Sequence, residues 1–111
     1  EGNLSELKIQ WNKKKSLCIV LCSKGYPDEY KKNIILKDLN SIKLDQNTFI
    51  FHAGTKLKNN EIISSGGRVL NFVGISSSYK TSRETVINLI KKLNWKYGFY
   101  RKDIGYKVID L

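Results

Sequence analysis

Three apolar runs of strand length constrain the fold of this chain more than any other feature. They are LCIVLCS (17–23), NTFIFHAG (47–54) and GRVLNFVGIS (67–76), all rich in aliphatic or aromatic residues. The first run is continuously apolar, which predicts a strand buried on both faces. A chain of 111 residues has room for one domain with one modest core. The sequence therefore predicts a single domain built around a sheet.

One amphipathic helix is predicted over residues 82–93. Thr81 and Glu84 have the T-x-x-E spacing of a capping box at its start, which leaves SSSYK (76–80) as a loop. Apolar residues then recur every three or four positions and form one stripe: Val86, Leu89, Ile90 and Leu93. Asn94 tolerates a left-handed backbone and is suited to end the helix.

The remaining segments complete an α+β prediction. Asn59-Asn60 lies between two short alternating runs and suits a two-residue hairpin turn. NIIL (33–36) is predicted as a short strand. WKYGFYRKDIGYKVIDL (95–111) is too apolar for a loose terminus, so we expect an ordered aromatic C-terminal arm packed on the sheet. The predicted fold is a mainly antiparallel sheet covered by one main helix.

The net charge of +10 points to an anionic partner, either nucleic acid or a small anionic ligand. The lysines are scattered, however, and Lys, Ile and Asn are all abundant, as in proteins of AT-rich genomes. NKKKS (12–16) is the one short cluster and is typical of a solvated turn. A solvated surface therefore stands as the other interpretation. No stretch approaches the roughly 20 apolar residues of a membrane span.

Cys18 and Cys22 are the only cysteines, and both fall in the first predicted strand. Residues four apart on a strand are about 13 Å apart, whereas a disulfide needs Cα atoms within about 7 Å. We therefore expect two buried free thiols, in keeping with a reducing compartment such as the cytoplasm. His52 is the only histidine and no second cysteine pair exists, so no metal site is predicted.

The common catalytic signatures are missing from the sequence. It contains no P-loop, no G-x-G-x-x-G, no G-x-S-x-G and no H-E-x-x-H. The chain also lacks methionine and does not start with one. On these grounds we expect a fragment or processed piece of a longer protein rather than a complete enzyme.

Gly66 and Gly67 precede Arg68, one of three arginines in a chain with seventeen lysines. A glycine pair lets a ligand approach the main chain and presents successive N–H groups to an anion. Arginine adds a planar fork of donors that matches phosphate or carboxylate. The alternative is a glycine turn that leads into a strand, with Arg68 in a surface ion pair.

FYRKDIG (99–105) is a second candidate. Arg101 and Asp103 are two residues apart and share a face of an extended segment. They either pair with each other on the surface, or one of them reaches a ligand.

FHAGT (51–55) is a third candidate. A lone histidine on an apolar strand is typical of a hydrogen-bonded core residue, and His52 fits that description. Gly54 and Thr55 mark the end of the strand, where backbone and hydroxyl donors can face a cleft.

Five stretches in this order and spacing resemble the C-terminal domain of the phosphoribosylamine–glycine ligase family, also called glycinamide ribonucleotide synthetase, of the ATP-grasp enzymes. The resemblance covers about residues 15 to 106. Each stretch is weak alone, but the five together are specific: LCSKGYP followed by Tyr30 (21–30), FHAGT (51–55), GGRVL (66–70), a helix with Arg83-Glu84, and FYRKDIG (99–105).

The resemblance implies an ATP-dependent ligase of purine biosynthesis, which joins glycine to 5-phosphoribosylamine and forms glycinamide ribonucleotide, ADP and phosphate. It implies that ATP and Mg²⁺ are held by N-terminal and ATP-grasp domains absent here, and that this fragment binds neither alone. Residues 1–14 would be a linker and residues 15–111 the C-terminal domain, inactive alone, closing one side of the active site. The expected partners are those domains and the substrates phosphoribosylamine and glycine.

By analogy with related ATP-grasp enzymes of purine synthesis, the resemblance makes Arg68 the residue for the ribose phosphate. The implied cleft wall consists of Gly66, Gly67, His52, Thr55, Arg101 and Asp103, with no catalytic residue and no metal ligand in the fragment. The sequence departs from the family pattern mainly in turns. Asn71 is a further departure, because it stands where the family has a small residue or glycine.

A basic nucleic-acid-binding module remains the alternative function. Such a module needs aromatic side chains interleaved with basic ones. The C-terminal segment offers both types: Trp95, Tyr97, Phe99 and Tyr100 near Lys96, Arg101 and Lys102.

Overall fold

A computed structural model describes residues 2–111 of the protein. Its regular elements are β1 (Lys15–Ser23), β2 (Thr48–His52), β3 (Thr55–Lys58), β4 (Glu61–Ser64), β5 (Arg68–Ser76), α1 (Tyr79–Leu93) and β6 (Gly98–Phe99). Leu4–Glu6 and Leu39–Ser41 form single 3-10 turns. The predicted α+β class, with an antiparallel sheet and one main helix, is confirmed.

Four strands form the main sheet in the order β2-β5-β1-β6, and every neighbouring pair is antiparallel. The long strands β1 and β5 lie in the middle, and Phe72 of β5 has Ile19 and Ile50 as its partners on either side. β3 and β4 form a separate two-stranded sheet. The predicted strand 33–36 is reduced to one isolated bridge between Ile35 and Ile63.

The β3–β4 hairpin has the predicted turn. Asn59 and Asn60 have φ values of 51° and 63°, and the last paired residues are Lys58 and Glu61. Two successive left-handed residues match the right-handed twist of the strands, and asparagine tolerates that backbone better than most residues. The local sequence alone therefore determines this turn.

The core lies between α1 and one face of β1 and β5. Its buried residues come from the helix, the two strands and the loop before β2: Leu17, Ile19, Leu21, Leu36, Leu39, Val69, Leu70, Phe72, Val86, Leu89, Ile90 and Leu93. Gly74 allows the helix to approach closely, since a Cβ there would lie 2.8 Å from the Ser82 carbonyl oxygen.

Among residues 2–111 no helix covers the opposite face of the sheet, which corrects the prediction for β1. Leu17, Ile19 and Leu21 are buried, but Cys18 is exposed and Cys22 only half-buried. The predicted two-sided burial and the two buried thiols are therefore wrong. The physical reason is that α1 covers one face, and the outer face has no second layer above it.

The outer face also carries an aromatic pair on the edge strand β2. The rings of Phe49 and Phe51 stack with centroids 6.0 Å apart and an interplanar angle of 10°. Both side chains are exposed, and β2 has no strand on its other side among the described residues.

The helix begins three residues earlier than predicted. Ser78 is its N-cap, and its Oγ accepts a hydrogen bond of 3.1 Å from the Thr81 N–H. The capping box at Thr81 and Glu84 is therefore wrong. Ser82 is fully buried and donates to the Lys15 carbonyl oxygen at 2.9 Å, which ties the first turn of the helix to β1. The predicted end at Asn94 is confirmed, with φ 47° and its N–H bonded to the Ile90 carbonyl.

The C-terminal segment is only partly packed. Trp95, Tyr100 and Ile104 contact the core, whereas Tyr97 and Tyr106 are exposed. Beyond the two residues of β6, residues 102–110 form turns. Arg83 holds this segment through hydrogen bonds to the carbonyls of Ile104 and Lys102. A distinct aromatic arm packed on the sheet is not established and stays a prediction.

Residues 2–14 are exposed along their whole length. Within residues 2–111, no helix combines the length and the apolar character that a bilayer span requires.

Replacing Ser78 with alanine is expected to lower the free energy of unfolding by about 1 kcal/mol, because one helix N–H loses its cap. Ser77→Ala is the matched control, since Ser77 is exposed and its hydroxyl makes no hydrogen bond among the described residues. Urea unfolding followed by circular dichroism measures both. Equal losses for the two variants would contradict the assignment of Ser78 as the cap.

Candidate functional site

A cavity of about 540 Å³ opens beside the Gly66–Arg68 segment. Its walls come from β1, β5, the turn after β1 and the loop after β2. The lining residues are Val20, Tyr26, Tyr30, Ala53, Gly54, Gly66, Gly67, Arg68 and Asn71. The volume lies in the range of small-molecule sites, which is about 300 to 1,000 Å³.

A β-bulge places Arg68 on the wall of this cavity. Leu21 is opposite Leu70 and Cys22 is opposite Arg68, so Val69 is an extra residue in β5. In a regular strand, side chains alternate between the two faces, so residues two apart share a face. Arg68 would then share the core face with Leu70. The bulge instead leaves Val69 and Leu70 fully buried and Arg68 exposed. Arg68 thereby joins the outer face of the sheet.

The Arg68 guanidinium makes no hydrogen bond and no ion pair within residues 2–111. The one ion pair in that part of the chain joins Arg101 and Asp103. The alternative in which Arg68 pairs with a surface acid of this domain therefore has no support from the contacts. Burial raises the pKa of the Cys22 thiol, and the nearby Arg68 charge offsets part of that rise. Arg68 keeps its full set of donors for a group from outside the domain.

Ser23 holds the glycine pair in place. Its N–H donates to the Gly67 carbonyl at 2.7 Å, and its hydroxyl donates to the Gly66 carbonyl at 3.0 Å. Ser23 is 2% exposed, so both bonds are shielded from water. The N–H groups of Gly66 and Gly67 donate no hydrogen bond within residues 2–111. Two free peptide donors next to an arginine are typical of an anion site.

The glycines are also required by packing inside the domain. A Cβ on Gly67 would lie 2.0 Å from Cδ2 of Tyr26, so the tyrosine ring rests directly on this residue. A Cβ on Gly54 would lie 2.5 Å from the Arg68 carbonyl oxygen and 2.8 Å from the Gly66 Cα. From the sequence we expect the glycines to let a ligand approach the main chain. In the structure Tyr26 and the neighbouring loop already approach it closely.

His52 and Thr55 close the loop that contains Ala53 and Gly54. The His52 Nδ1 and the Thr55 Oγ1 are 2.8 Å apart and share a hydrogen bond. His52 is exposed, so the prediction of a core histidine is wrong, although its hydrogen bond is present. Neither side chain lines the cavity, whereas the two residues between them do. Their hydrogen bond spans this loop and thereby restrains its shape.

Arg101 and Asp103 pair with each other, and neither lines the cavity beside Gly66. The Arg101 Nε and Nη2 atoms donate to the two carboxylate oxygens of Asp103 at 3.1 Å and 2.7 Å. The hydrogen bonds from Arg101 lower the pKa of the Asp103 carboxyl below its ordinary value. The two side chains are 69% and 52% exposed, which makes this a surface pair of little energetic weight.

Arg101 borders a second, mostly apolar cavity of about 360 Å³. Val20 and Tyr26 line both cavities, so the two lie side by side on the outer face of the sheet. Cys18 and Cys22 also line the second cavity. Cys18 is exposed overall, yet neighbouring groups desolvate its sulfur in part, and burial raises the pKa of both thiols. These are thiols of low reactivity rather than candidate nucleophiles.

The described part of the chain contains no group of three or more His, Cys, Asp or Glu side chains arranged to hold a metal ion. The chemistry available at the cavity is therefore electrostatic and hydrogen-bonding: one guanidinium, two peptide N–H groups, two tyrosines and one amide.

Comparison with known proteins identifies the origin of this arrangement. The family model described as phosphoribosylglycinamide synthetase, C domain, matches residues 16–107. The chain belongs to this family. The match covers every element from β1 to β6.

Relatives of this C domain are named phosphoribosylamine–glycine ligase. One from Caldanaerobacter subterraneus is 43% identical over 105 residues, which are 95% of this chain and 24% of the relative. The chloroplastic protein of Arabidopsis thaliana is 32% identical over 111 residues, 98% of this chain and 21% of the relative. The chain thus spans about a quarter of the length of these relatives.

The fold is also shared with a solved structure. The crystal structure of phosphoribosylamine–glycine ligase from Thermotoga maritima superimposes with a TM-score of 0.66 at 30% sequence identity. That match covers 80% of this chain and 21% of the other.

The sequence did not lead us to assign to the site four residues that build or line the cavity of this C domain: Ser23, Tyr26, Tyr30 and Asn71. Tyr26 and Tyr30 belong to the segment KGYPDEY (24–30), where aromatic residues beside a glycine turn were the available signal. Asn71 interrupts the apolar run of β5 and was therefore visible in the sequence. Ser23 had no signal, because its role depends on a carbonyl that lies more than 40 residues away.

Gly54→Ala is expected to destabilise the domain by about 1–3 kcal/mol, because the new Cβ meets backbone atoms that cannot rotate away. Gly66→Ala is the matched control. Its Cβ would meet the Gly54 Cα at 3.3 Å and the Arg68 carbonyl oxygen at 3.9 Å, and the expected loss is below about 1 kcal/mol. Thermal unfolding of both variants tests this order, and a larger loss for Gly66→Ala would contradict the described packing.

Arg68→Gln is expected to raise the pKa of Cys22, because the charge that partly offsets the effect of burial is removed. Less thiolate is then present at a given pH, and alkylation of Cys22 by iodoacetamide at pH 8 becomes slower. Cys18 is the internal control, since only burial shifts its pKa. Mass spectrometry of the two cysteines gives both rates. A faster reaction at Cys22, or an equal change at both, would disprove the proximity of Arg68.

Proposed function

We propose that this chain works as the C-terminal domain of an ATP-dependent carbon–nitrogen ligase that joins glycine to 5-phosphoribosylamine. The products would be glycinamide ribonucleotide, ADP and phosphate, in de novo purine biosynthesis. The names of the relatives support the activity, and the match over residues 16–107 supports the place of the chain in the enzyme. The observation that carries the role of the site is Arg68, unpaired beside two free N–H groups on a cavity wall.

In this proposal Arg68 and the N–H groups of Gly66 and Gly67 bind the 5-phosphate of phosphoribosylamine. A guanidinium donates two parallel hydrogen bonds to phosphate, and the peptide groups supply two further donors. The phosphate is remote from the reacting amine. Its binding energy therefore serves to orient the substrate for reaction rather than to change bonds. His52 and Thr55 act at the base of this wall through the loop between them.

ATP and Mg²⁺ are assigned to the N-terminal and ATP-grasp domains of the full enzyme. The described residues do not fit a Mg²⁺ site, because no three potential ligands lie together. Bound ATP would supply the phosphoryl group that activates the glycine carboxylate. The residues of this domain position the amine substrate and close one side of the active site.

Residues 1–14 are proposed as a linker from the preceding domain, and residues 15–111 as the C-terminal domain. The exposure of residues 2–14 supports the first assignment. The remaining domains of the enzyme are the proposed partner of the uncovered sheet face. The cytoplasm is the proposed compartment, in keeping with two unbridged cysteines.

The nucleic-acid alternative receives less support from the structure. Trp95 and Tyr100 pack partly against the core and are not free to stack on bases. Arg101 is paired with Asp103. The aromatic and basic residues of the C-terminal segment therefore do not form the continuous open face that such binding uses.

Arg68→Ala in the full-length enzyme is expected to raise the KM for phosphoribosylamine at least about tenfold, because charge-assisted hydrogen bonds to phosphate are lost. The KM for ATP should stay within about twofold of the unmodified enzyme. Arg68→Lys is the matched variant, because it keeps the charge without the planar fork. Its KM for phosphoribosylamine should lie between those of the unmodified enzyme and of Arg68→Ala. Steady-state kinetics measure all three. An equal loss for every substrate would assign Arg68 a structural role instead.

A further inference from the structure

Asn71 occupies an unusual place in the sheet. It lies in the middle of β5, a central strand with partners on both sides, and its direct neighbours are Val20 on β1 and Phe51 on β2. Both neighbours are apolar and have no side-chain hydrogen-bonding group. The Asn71 amide lines the same cavity as Arg68.

The Asn71 side chain makes no hydrogen bond within residues 2–111, although the residue is partly buried. Ser23 of β1, by contrast, is shielded from water and donates its hydroxyl to the Gly66 carbonyl within the domain. An amide carries two donors and one acceptor with two lone pairs. The neighbouring strands offer these groups no partner, so they are available to a molecule in the cavity that Asn71 lines.

The choice of asparagine here is also unfavourable for the strand. Asparagine is depleted in strands relative to valine, isoleucine and aromatic residues. The other outward positions of β5 near it include Val73 and Ile75, which are suited to a strand. A residue that breaks the local pattern without a gain in packing is expected where function requires it.

We propose that Asn71 is a specificity-determining residue, which hydrogen-bonds hydroxyl groups of the pentose whose phosphate is held at Arg68. This inference rests on the proposed function, in which the domain recognises the phosphate, and it adds recognition of the sugar. Because of the bulge, their partners on β1, Cys22 and Val20, are two residues apart, so the two positions are roughly 7 Å apart along the sheet. Both side chains lie over one cavity of about 540 Å³, so a pentose phosphate spans from the guanidinium to the amide.

The bulge at Val69 makes this pairing of roles possible. Without it, Arg68 and Asn71 would lie on opposite faces of β5. With it, a charged fork and a neutral amide share one face. The fork suits the phosphate, and the amide suits hydroxyl groups, which need both a donor and an acceptor.

The test compares two probes on the full-length ligase by isothermal titration calorimetry: ribose 5-phosphate and inorganic phosphate. Asn71→Ala should weaken ribose 5-phosphate binding about three- to tenfold, the loss expected for one net hydrogen bond, and leave inorganic phosphate unchanged. Arg68→Ala should weaken both probes. Retained phosphate binding by Asn71→Ala also demonstrates that this variant is folded.

Each other outcome has one meaning. If Asn71→Ala weakens both probes equally or neither, Asn71 does not recognise the sugar, and the inference is wrong while the phosphate site stands. If Arg68→Ala leaves inorganic phosphate binding unchanged, the proposed phosphate site itself is wrong, and with it the basis for Asn71. Asn71→Val serves as the second variant, since valine favours a strand; it should lose the sugar contribution without loss of melting temperature.

Discussion

The antiparallel ladder between β1 and β5 is the contact on which both the core and the candidate site depend. One face of the ladder supplies Ile19 and Phe72 to the core beneath α1, and the other presents Val20 and Asn71 to the cavity. A slip of one residue in the register would exchange these faces, and the cost of exposing the apolar set prevents it. Burial of the core thereby also determines which side chains the outer face carries.

Features set by local chemistry were predictable from the sequence. The long strands β1 and β5, the Asn59-Asn60 turn and the helix end at Asn94 follow from residue types over a few positions. The start of α1 was not predictable in this way. Ser78 and Thr81 are both good caps, and the choice between them depends on Ser82, whose hydroxyl bonds the distant Lys15 carbonyl.

The one-sided burial of β1 shows a second limit. A continuous apolar run has no period, so it does not reveal how many layers cover the strand. That number depends on the rest of the chain, which provides one long helix and no second one among the described residues.

The same limit applies to the candidate site. The Gly66–Arg68 stretch was visible from its composition, but the face that Arg68 occupies depends on an extra residue opposite Leu21, a property of register between distant segments.

The stacked pair Phe49 and Phe51 has a consequence for the colloidal behaviour of the domain. An edge strand with exposed aromatic side chains is a template for pairing with another chain. The net charge of +10 opposes such pairing by repulsion between whole molecules. This repulsion is screened over about 10 Å at 0.1 M salt, so ionic strength sets the balance between dispersed and self-associated domains. The excess of lysine then keeps the aromatic edge of one molecule away from that of the next.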